Sequence, residues 1–171
     1  KVPVHRAVVT VPAYFTDRQR QAVKDAGRLV DLEVVRIINE PTSASLAYGV
    51  GRALKETVLI YDLGGGTFDV SIIEIRDRTF EVKATGGDIF LGGLDFDNAM
   101  THHVLEDFAS KHAIDLSTDP VAMQRIKDLV ERTKIDLSAR AEVPFSIPFI
   151  TMTPQGMPLN VEMMFTRKKL E

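Results

Sequence analysis

The stretch YDLGGGTFDVS, from Tyr61 to Ser71, decides the fold of the middle of this 171-residue chain. An apolar run leads into it through Leu59 and Ile60, and a second run with strand alternation leaves it through Phe68 and Val70. Consecutive glycines turn the chain and let backbone N–H groups converge on an anion, because no Cβ is in the way. The stretch therefore predicts two strands joined by a tight turn that can hold a phosphate.

Carboxylates flank this turn, with Asp62 ending the first strand and Asp69 lying in the second. Because carboxylates repel phosphate, we expect a divalent metal between them, and Mg²⁺ suits one or two carboxylates plus phosphates. Glu40 also follows a predicted strand, so it either converges with them on one metal or water-activating site or simply ends its strand. Thr67 is either a hydroxyl donor to a terminal phosphate or a plain strand-forming residue. A hairpin with solvated acids remains the alternative.

Composition limits the possible functions. The chain is 44% hydrophobic and 26% charged, which suits one globular domain or two small lobes. A net charge of −3 argues against nucleic acid or an anionic membrane as partner. The lack of cysteine excludes disulfides and thiolate zinc sites, and with no signal peptide or membrane span in the sequence we expect a cytoplasmic protein. Because the chain starts at Lys1 and stops soon after Thr166 caps a new helix, we expect a piece of a longer protein.

The first fifty residues predict a strand–helix–strand unit. An apolar run at 7–11 is a strand, Thr16 opens a capping box for a helix to about residue 30, and 33–38 is the second strand. Such a unit is parallel and right-handed, and ligands bind at the carboxyl ends of its strands. Class α/β follows.

A short helix and a third hairpin strand complete the sheet-based part. Pro41 suits the first turn of the helix, which Gly49 and Gly51 close. After the two strands of the glycine-rich turn, a further strand is expected near 79–84, followed by a loop over the glycines of 86–93.

The periodicity becomes helical after Gly93. Apolar residues then recur every four positions, Asp119 caps a second helix ahead of Pro120, and a hairpin follows at 142–165. The expected inward residues are Phe96, Met100, Val104, Phe108, Ile126, Val130, Thr133 and Leu137, with Met163 and Met164 as core filler. This change predicts a smaller α+β lobe.

Three polar residues of the second helix, Glu131, Lys134 and Ser138, are spaced i, i+3 and i+7. This spacing puts them on one helical face, opposite the apolar stripe. Such a face is usually just solvated.

Five motifs together resemble one family. They are VVTVPAYFTDRQRQAVKDAG at 8–27, RIINEPTSASLAYG at 36–49, DLGGGTFDVSIIEI at 62–75, FLGGLDFD at 90–97 and DPVAMQRIKDLVERTKIDLS at 119–138. In this order they resemble the ATPase domain of the seventy-kilodalton heat-shock chaperones, and DPVAMQR is closest to the bacterial DnaK branch. The resemblance covers essentially the whole chain.

The resemblance implies a partial actin-like ATPase fold, comprising the second lobe and part of the first. Residues 1–51 would belong to the first lobe and 52–91 to the base of the second. Residues 92–171 would form the upper part of the second lobe and the start of the next helix. ATP or ADP and Mg²⁺ would bind in the cleft of the complete domain.

The resemblance also implies residue roles. Asp62 and Glu40 would hold the Mg²⁺ shell through water, and Asp69 would position the attacking water. Thr67 would contact the γ-phosphate. The phosphates would lie on Gly64, Gly65 and Gly66, and the adenosine side would be bound by Gly92, Gly93, Glu131, Lys134 and Ser138.

Partner sites follow from the same resemblance. Pro12 and Arg20 match the relay between nucleotide state and a separate domain that binds unfolded polypeptide. Arg36, Asn39 and Thr42 match a surface for J-domain co-chaperones, and a nucleotide exchange factor is a further expected partner.

Two features depart from the family pattern. Leu94 replaces an acidic residue, and the first phosphate loop, the catalytic lysine and the last adenosine-binding glycines have no counterpart in this sequence. The isolated chain is therefore expected to be inactive. The rival hypotheses are a nucleotide-binding regulatory or scaffold homologue without turnover and a small-molecule kinase on the same fold.

Overall fold

The computed structural model describes residues 3–49, 54–77 and 79–171. The chain forms two compact units, Lys1–Gly92 and Gly93–Glu171. The expected boundary between 51 and 52 and the helix-closing Gly51 lie outside the described residues. The finer division of the first unit therefore stays a prediction.

The first unit begins with the expected parallel unit. Strand β1 (Arg6–Val11) pairs in parallel with β2 (Glu33–Asn39), and helix α1 (Asp17–Leu29) connects them. Thr16 caps α1 by a complete capping box with Gln19, which satisfies two backbone donors that the first helical turn leaves open. These local rules were enough to predict all three elements.

Helix α2 (Glu40–Gly49) leads into a three-stranded antiparallel sheet in the order β3–β4–β5. Strands β3 (Leu54–Leu63) and β4 (Phe68–Asp77) are the two arms of the glycine-rich turn, and β5 is Thr79–Asp88. Alternate residues of β4, among them Ile73 and Ile75, are fully buried. Because side chains alternate along a strand, the β4 residues between these buried ones lie on the opposite face of the sheet.

The expected end of β5 near residue 84 is wrong, because the strand continues through its glycines to Asp88. Gly86 pairs with Val70, and Gly87 pairs with Asp69. Gly87 has a φ of 156°, and a Cβ there would lie 2.1 Å from the carbonyl oxygen of Phe68. These glycines therefore allow close pairing of the strands beside Asp69, where the sequence predicted a loop.

The second unit packs two helices on a hairpin. It consists of α3 (Gly93–His112), α4 (Pro120–Leu137), β6 (Glu142–Met152), β7 (Pro158–Thr166) and the short α5 (Arg167–Leu170). The expected Asp119 cap accepts from the backbone N–H groups of Val121 and Ala122. No helix in the described ranges is long and apolar enough to span a membrane.

The core of this unit matches the predicted helical stripes with two exceptions. Seven of the eight expected inward residues, from Met100 to Leu137, are buried, whereas Phe96 is 38% exposed. Met163 packs against the core, but Met164 is 54% exposed, so its assignment as core filler is wrong. Neighbouring strand residues point to opposite faces, and only one of two adjacent methionines can face the helices.

Arg167 joins the end of α4 to the end of the hairpin. Its Nε donates to the carbonyl oxygen of Leu137 at 2.8 Å, and its Nη2 donates to those of Ser138 at 3.2 Å and Arg140 at 3.1 Å. Its backbone N–H donates to the carbonyl oxygen of Ala141. One side chain thus satisfies carbonyls that a helix end leaves without intrahelical partners.

Candidate functional site

The glycine-rich turn is a tight hairpin with a carboxylate on each arm. Asp62 and Asp69 are paired directly across β3 and β4, and the backbone N–H of Gly64 donates to the carbonyl oxygen of Thr67 at 2.8 Å. The Cβ positions of Gly65 and Gly66 are open, with no atom within 4 Å apart from those of neighbouring residues in the chain. The turn therefore presents bare backbone to solvent between the two acids.

Gly92 packs directly against this turn. A Cβ on Gly92 would lie 2.4 Å from both the carbonyl carbon of Gly65 and the nitrogen of Gly66. We expected Gly92 to approach a nucleotide, and the structure adds a contact that sequence reasoning missed. The only hint of this contact in the sequence was the pair of glycines at the start of a predicted helix.

Burial and neighbouring charges raise the pKa values of Asp69 and Glu40. Asp69 is 2% exposed, and its Oδ1 has no hydrogen-bond partner among the described residues. Burial raises the pKa of Asp69, the backbone N–H of Ala13 lowers it by hydrogen bonding, and the charge of Asp62 raises it. Burial also raises the pKa of Glu40, and the charges of Asp62 and Asp69 add to this. The charges of Asp62 and Asp69 thus act on Glu40, and that of Asp62 acts on Asp69, whereas convergence of the three carboxylates on one site stays a prediction.

These groups suit Mg²⁺ bound mainly through water. Within the described ranges, no three His, Asp or Glu side chains form a cluster that could hold a metal ion by direct contact. An unpartnered buried oxygen on Asp69 and an open turn beside it nevertheless leave one acceptor and one cradle for a hydrated cation with phosphate. The donor set therefore fits the expected group.

Arg20 connects the neighbourhood of Asp69 to the end of β2. Its guanidinium donates to the carbonyl oxygens of Phe15 at 3.0 Å and Ala13 at 3.3 Å, and to Asn39 Oδ1 at 2.8 Å. Ala13 also donates its own N–H to the Asp69 carboxylate. A continuous set of hydrogen bonds therefore runs from Asn39 through Arg20 and the turn after β1 to Asp69.

The remaining expected partner residues lie around the same strands. Pro12 is buried, and its carbonyl oxygen accepts from the N–H of Phe15. Arg36 is exposed on β2 and borders a cleft of about 440 Å³ between α1 and β2. Thr42 is half-buried, and its carbonyl oxygen accepts from the Ser45 hydroxyl. The cleft is lined by Asp17, Arg20, Gln21, Lys24, Val35, Arg36 and Ile37.

The expected adenosine face of α4 is only partly solvated. Glu131 and Ser138 are exposed, whereas Lys134 is half-buried. Lys134 Nζ donates to Asp97 Oδ2 at 2.7 Å and to the carbonyl oxygen of Gly93 at 2.8 Å. Sequence reasoning missed Asp97, although it lies in the quoted motif FLGGLDFD.

Leu94, the departure from the family pattern, lies in the first turn of α3 and is 61% exposed. Its side chain is therefore not needed for the core of this unit.

Comparisons with known proteins agree with the motifs. The family model described as Hsp70 protein matches residues 1–171. The chain is 55% identical over 170 residues to the chaperone protein DnaK of Anaplasma marginale (strain St. Maries). That match covers 99% of this chain and 26% of the relative, so the chain spans about a quarter of the relative's length. Because the family model matches the whole chain, the chain belongs to the Hsp70 family, and its fold is part of the actin-like ATPase fold of that family.

Proposed function

We propose that this chain is part of the ATPase domain of a DnaK-type chaperone, which couples ATP hydrolysis to the binding of unfolded polypeptide in a separate domain. One observation carries the proposal: Asp62 and Asp69 face each other across an open glycine turn, and burial and mutual repulsion raise the pKa of Asp69. Membership of the Hsp70 family supports the same reaction.

Each residue around the turn has a distinct role in this proposal. The backbone from Gly64 to Gly66 holds the β- and γ-phosphates, and Thr67 donates its hydroxyl to the γ-phosphate. Asp62 and Glu40 hold the hydrated Mg²⁺, which neutralises phosphate charge when bound. Asp69 accepts a hydrogen bond from the attacking water through its unpartnered Oδ1. Catalysis is then positioning plus electrostatic stabilisation, since phosphoryl transfer needs little covalent chemistry from the protein.

Communication with partners would start at the other end of the Arg20 hydrogen bonds. Pro12 and Arg20 would relay the state of Asp69 to the separate polypeptide-binding domain. Arg36, Asn39 and Thr42 would contact a J-domain co-chaperone, and the cations of the α1–β2 cleft favour an acidic contact there. A nucleotide exchange factor is the second proposed partner.

A single-turnover measurement on the full-length parent tests the catalytic role. We expect the wild type to hydrolyse bound ATP. We expect Asp69→Asn to hydrolyse it about 100- to 10,000-fold more slowly, the typical contribution of a positioned general acid–base group. Asp107→Asn is the matched control, because Asp107 lies on α3 and pairs with Lys111. ATP binding without turnover in the wild type would instead support a regulatory or scaffold homologue.

The adenosine face is tested separately with Lys134→Ala in the full-length parent. We expect ATP and ADP to be weakened alike, because adenosine is common to both. Equilibrium titration with ADP measures the effect. An unchanged ADP affinity would mean that the face formed by Glu131, Lys134 and Ser138 does not bind nucleotide.

A further inference from the structure

The Lys134 ammonium donates two hydrogen bonds. One N–H points to Asp97 Oδ2 at 2.7 Å and one to the carbonyl oxygen of Gly93 at 2.8 Å, and both acceptors belong to α3. An ammonium carries three N–H donors and no acceptor. The direction of the third N–H is therefore set by the two that are already engaged.

The lysine side chain is only partly exposed, at 23%, and Asp97 at 16%. Such an ion pair is screened less by water and salt than one on the open surface. It also crosses 37 positions of sequence to join α3 to α4. The pair therefore fixes the position of α3 against α4, whereas the more exposed pairs on α3 join residues of the same helix.

Folding stability alone does not explain Asp97. Its Oδ1 is buried and has no partner among the described residues, and the same is true of the Thr101 hydroxyl one turn further along α3. A buried acceptor without a hydrogen bond is destabilising, and an apolar pair of similar volume would pack at least as well. An arrangement that costs stability in this way is explained more readily by function.

We propose that Asp97 is a positioning residue for nucleotide binding, which orients the Lys134 ammonium so that its third N–H meets the adenosine part of the nucleotide. The proposal rests on the proposed function, in which Lys134 contacts the nucleotide. A lysine side chain has many rotamers, and fixing them before the ligand arrives removes that entropy loss from binding. Asp97 itself makes no contact with the ligand in this proposal.

A double-mutant cycle in the full-length parent tests this role, with ADP affinity measured by titration calorimetry. Asp97→Asn keeps the size of the side chain and removes its charge, and we expect ADP to bind about tenfold more weakly. In the Lys134→Ala background, the same change should alter ADP affinity less than twofold, because Asp97 acts only through the lysine. Asp107→Asn, which breaks the 2.6 Å pair with Lys111 on the same helix, should leave ADP affinity unchanged.

The outcomes separate this proposal from the assignment of the site. If Lys134→Ala weakens ADP but Asp97→Asn does not, or if the two effects simply add, Asp97 is not a positioning residue while the adenosine face stands. If Lys134→Ala has no effect, both proposals are wrong. Tighter ADP binding by Asp97→Asn would show that the carboxylate competes with the ligand, which also overturns the proposal.

A second variant guards against a folding defect. Asp97→Glu retains the charge and shifts it by one methylene, so we expect an ADP affinity between those of the wild type and Asp97→Asn. Thermal unfolding without nucleotide identifies a purely structural role. Loss of thermal stability with unchanged ADP affinity in Asp97→Asn would overturn the proposal.

Discussion

Gly92→Ala tests the contact between Gly92 and the glycine turn. The added Cβ would lie 2.4 Å from the Gly65 carbonyl carbon and the Gly66 nitrogen, and 2.5 Å from the Gly65 carbonyl oxygen. Ordinary carbon contacts begin at about 3.5 Å, so the backbone of Gly92 or that of the turn must move by roughly 1 Å. Overpacking of this kind costs about 1–3 kcal/mol, and the turn that is proposed to hold the phosphates moves with it. A displacement of about 1 Å can lower a rate by roughly 100-fold.

Two measurements on the full-length parent check this expectation: the free energy of unfolding by urea, and the single-turnover rate of ATP hydrolysis. We expect both to fall in Gly92→Ala. Gly66→Ala is the control for stability, since no atom lies within 4 Å of its Cβ position, and its free energy of unfolding should stay within about 0.5 kcal/mol of wild type. If Gly92→Ala unfolds and hydrolyses like the wild type, the Gly92 backbone does not press on the turn.

Three further predictions concern single groups and the chain as a whole. Thr67→Ala in the parent should slow hydrolysis about 10- to 150-fold while weakening ATP binding less, as expected for one hydrogen bond to a charged group, and an unchanged turnover number would contradict the role of Thr67. Asp69→Asn should raise the free energy of unfolding at neutral pH, because a carboxyl whose pKa is raised in the folded protein destabilises the fold as pH rises through that pKa. In acid, where Asp69 is protonated, the variant and the wild type should unfold alike, and a difference that does not depend on pH would contradict the prediction. The isolated 171-residue chain should bind Mg·ATP at millimolar strength or weaker and show no significant hydrolysis, since three missing charge-assisted hydrogen bonds remove about 4–9 kcal/mol; low-micromolar binding by calorimetry would refute this.

Local rules were sufficient for most of the elements. The Thr16 capping box, the Asp119 cap and the four-residue apolar period each depend on neighbours within one or two helical turns. The hairpin around Gly64 follows from alternation on both of its sides, and this placed Asp62 and Asp69 across from each other. The sequence therefore predicted the hairpin and the place of both acids on its two arms, whereas phosphate binding by the turn stays a prediction.

The errors come from features that depend on distant contacts. Glycine at 86 and 87 was interpreted as a loop, because a sequence does not show that another strand needs the space at Phe68. Asp97 was missed because its partner lies 37 positions away on another helix, beyond the reach of periodicity. Met164 was wrong by one strand position, which reverses the face that a side chain occupies.

The Arg167 side chain has a consequence for the adenosine face of α4. Helix ends ordinarily fray, opening and closing with little free energy, and Ser138 lies at such an end. Because Arg167, which directly follows β7, donates to the carbonyls of Leu137, Ser138 and Arg140, the last turn cannot unwind without losing these hydrogen bonds. Amide hydrogens of that turn should therefore exchange with solvent as slowly as those of the helix interior. The proposed nucleotide contact at Ser138 would then form on a surface that is already ordered.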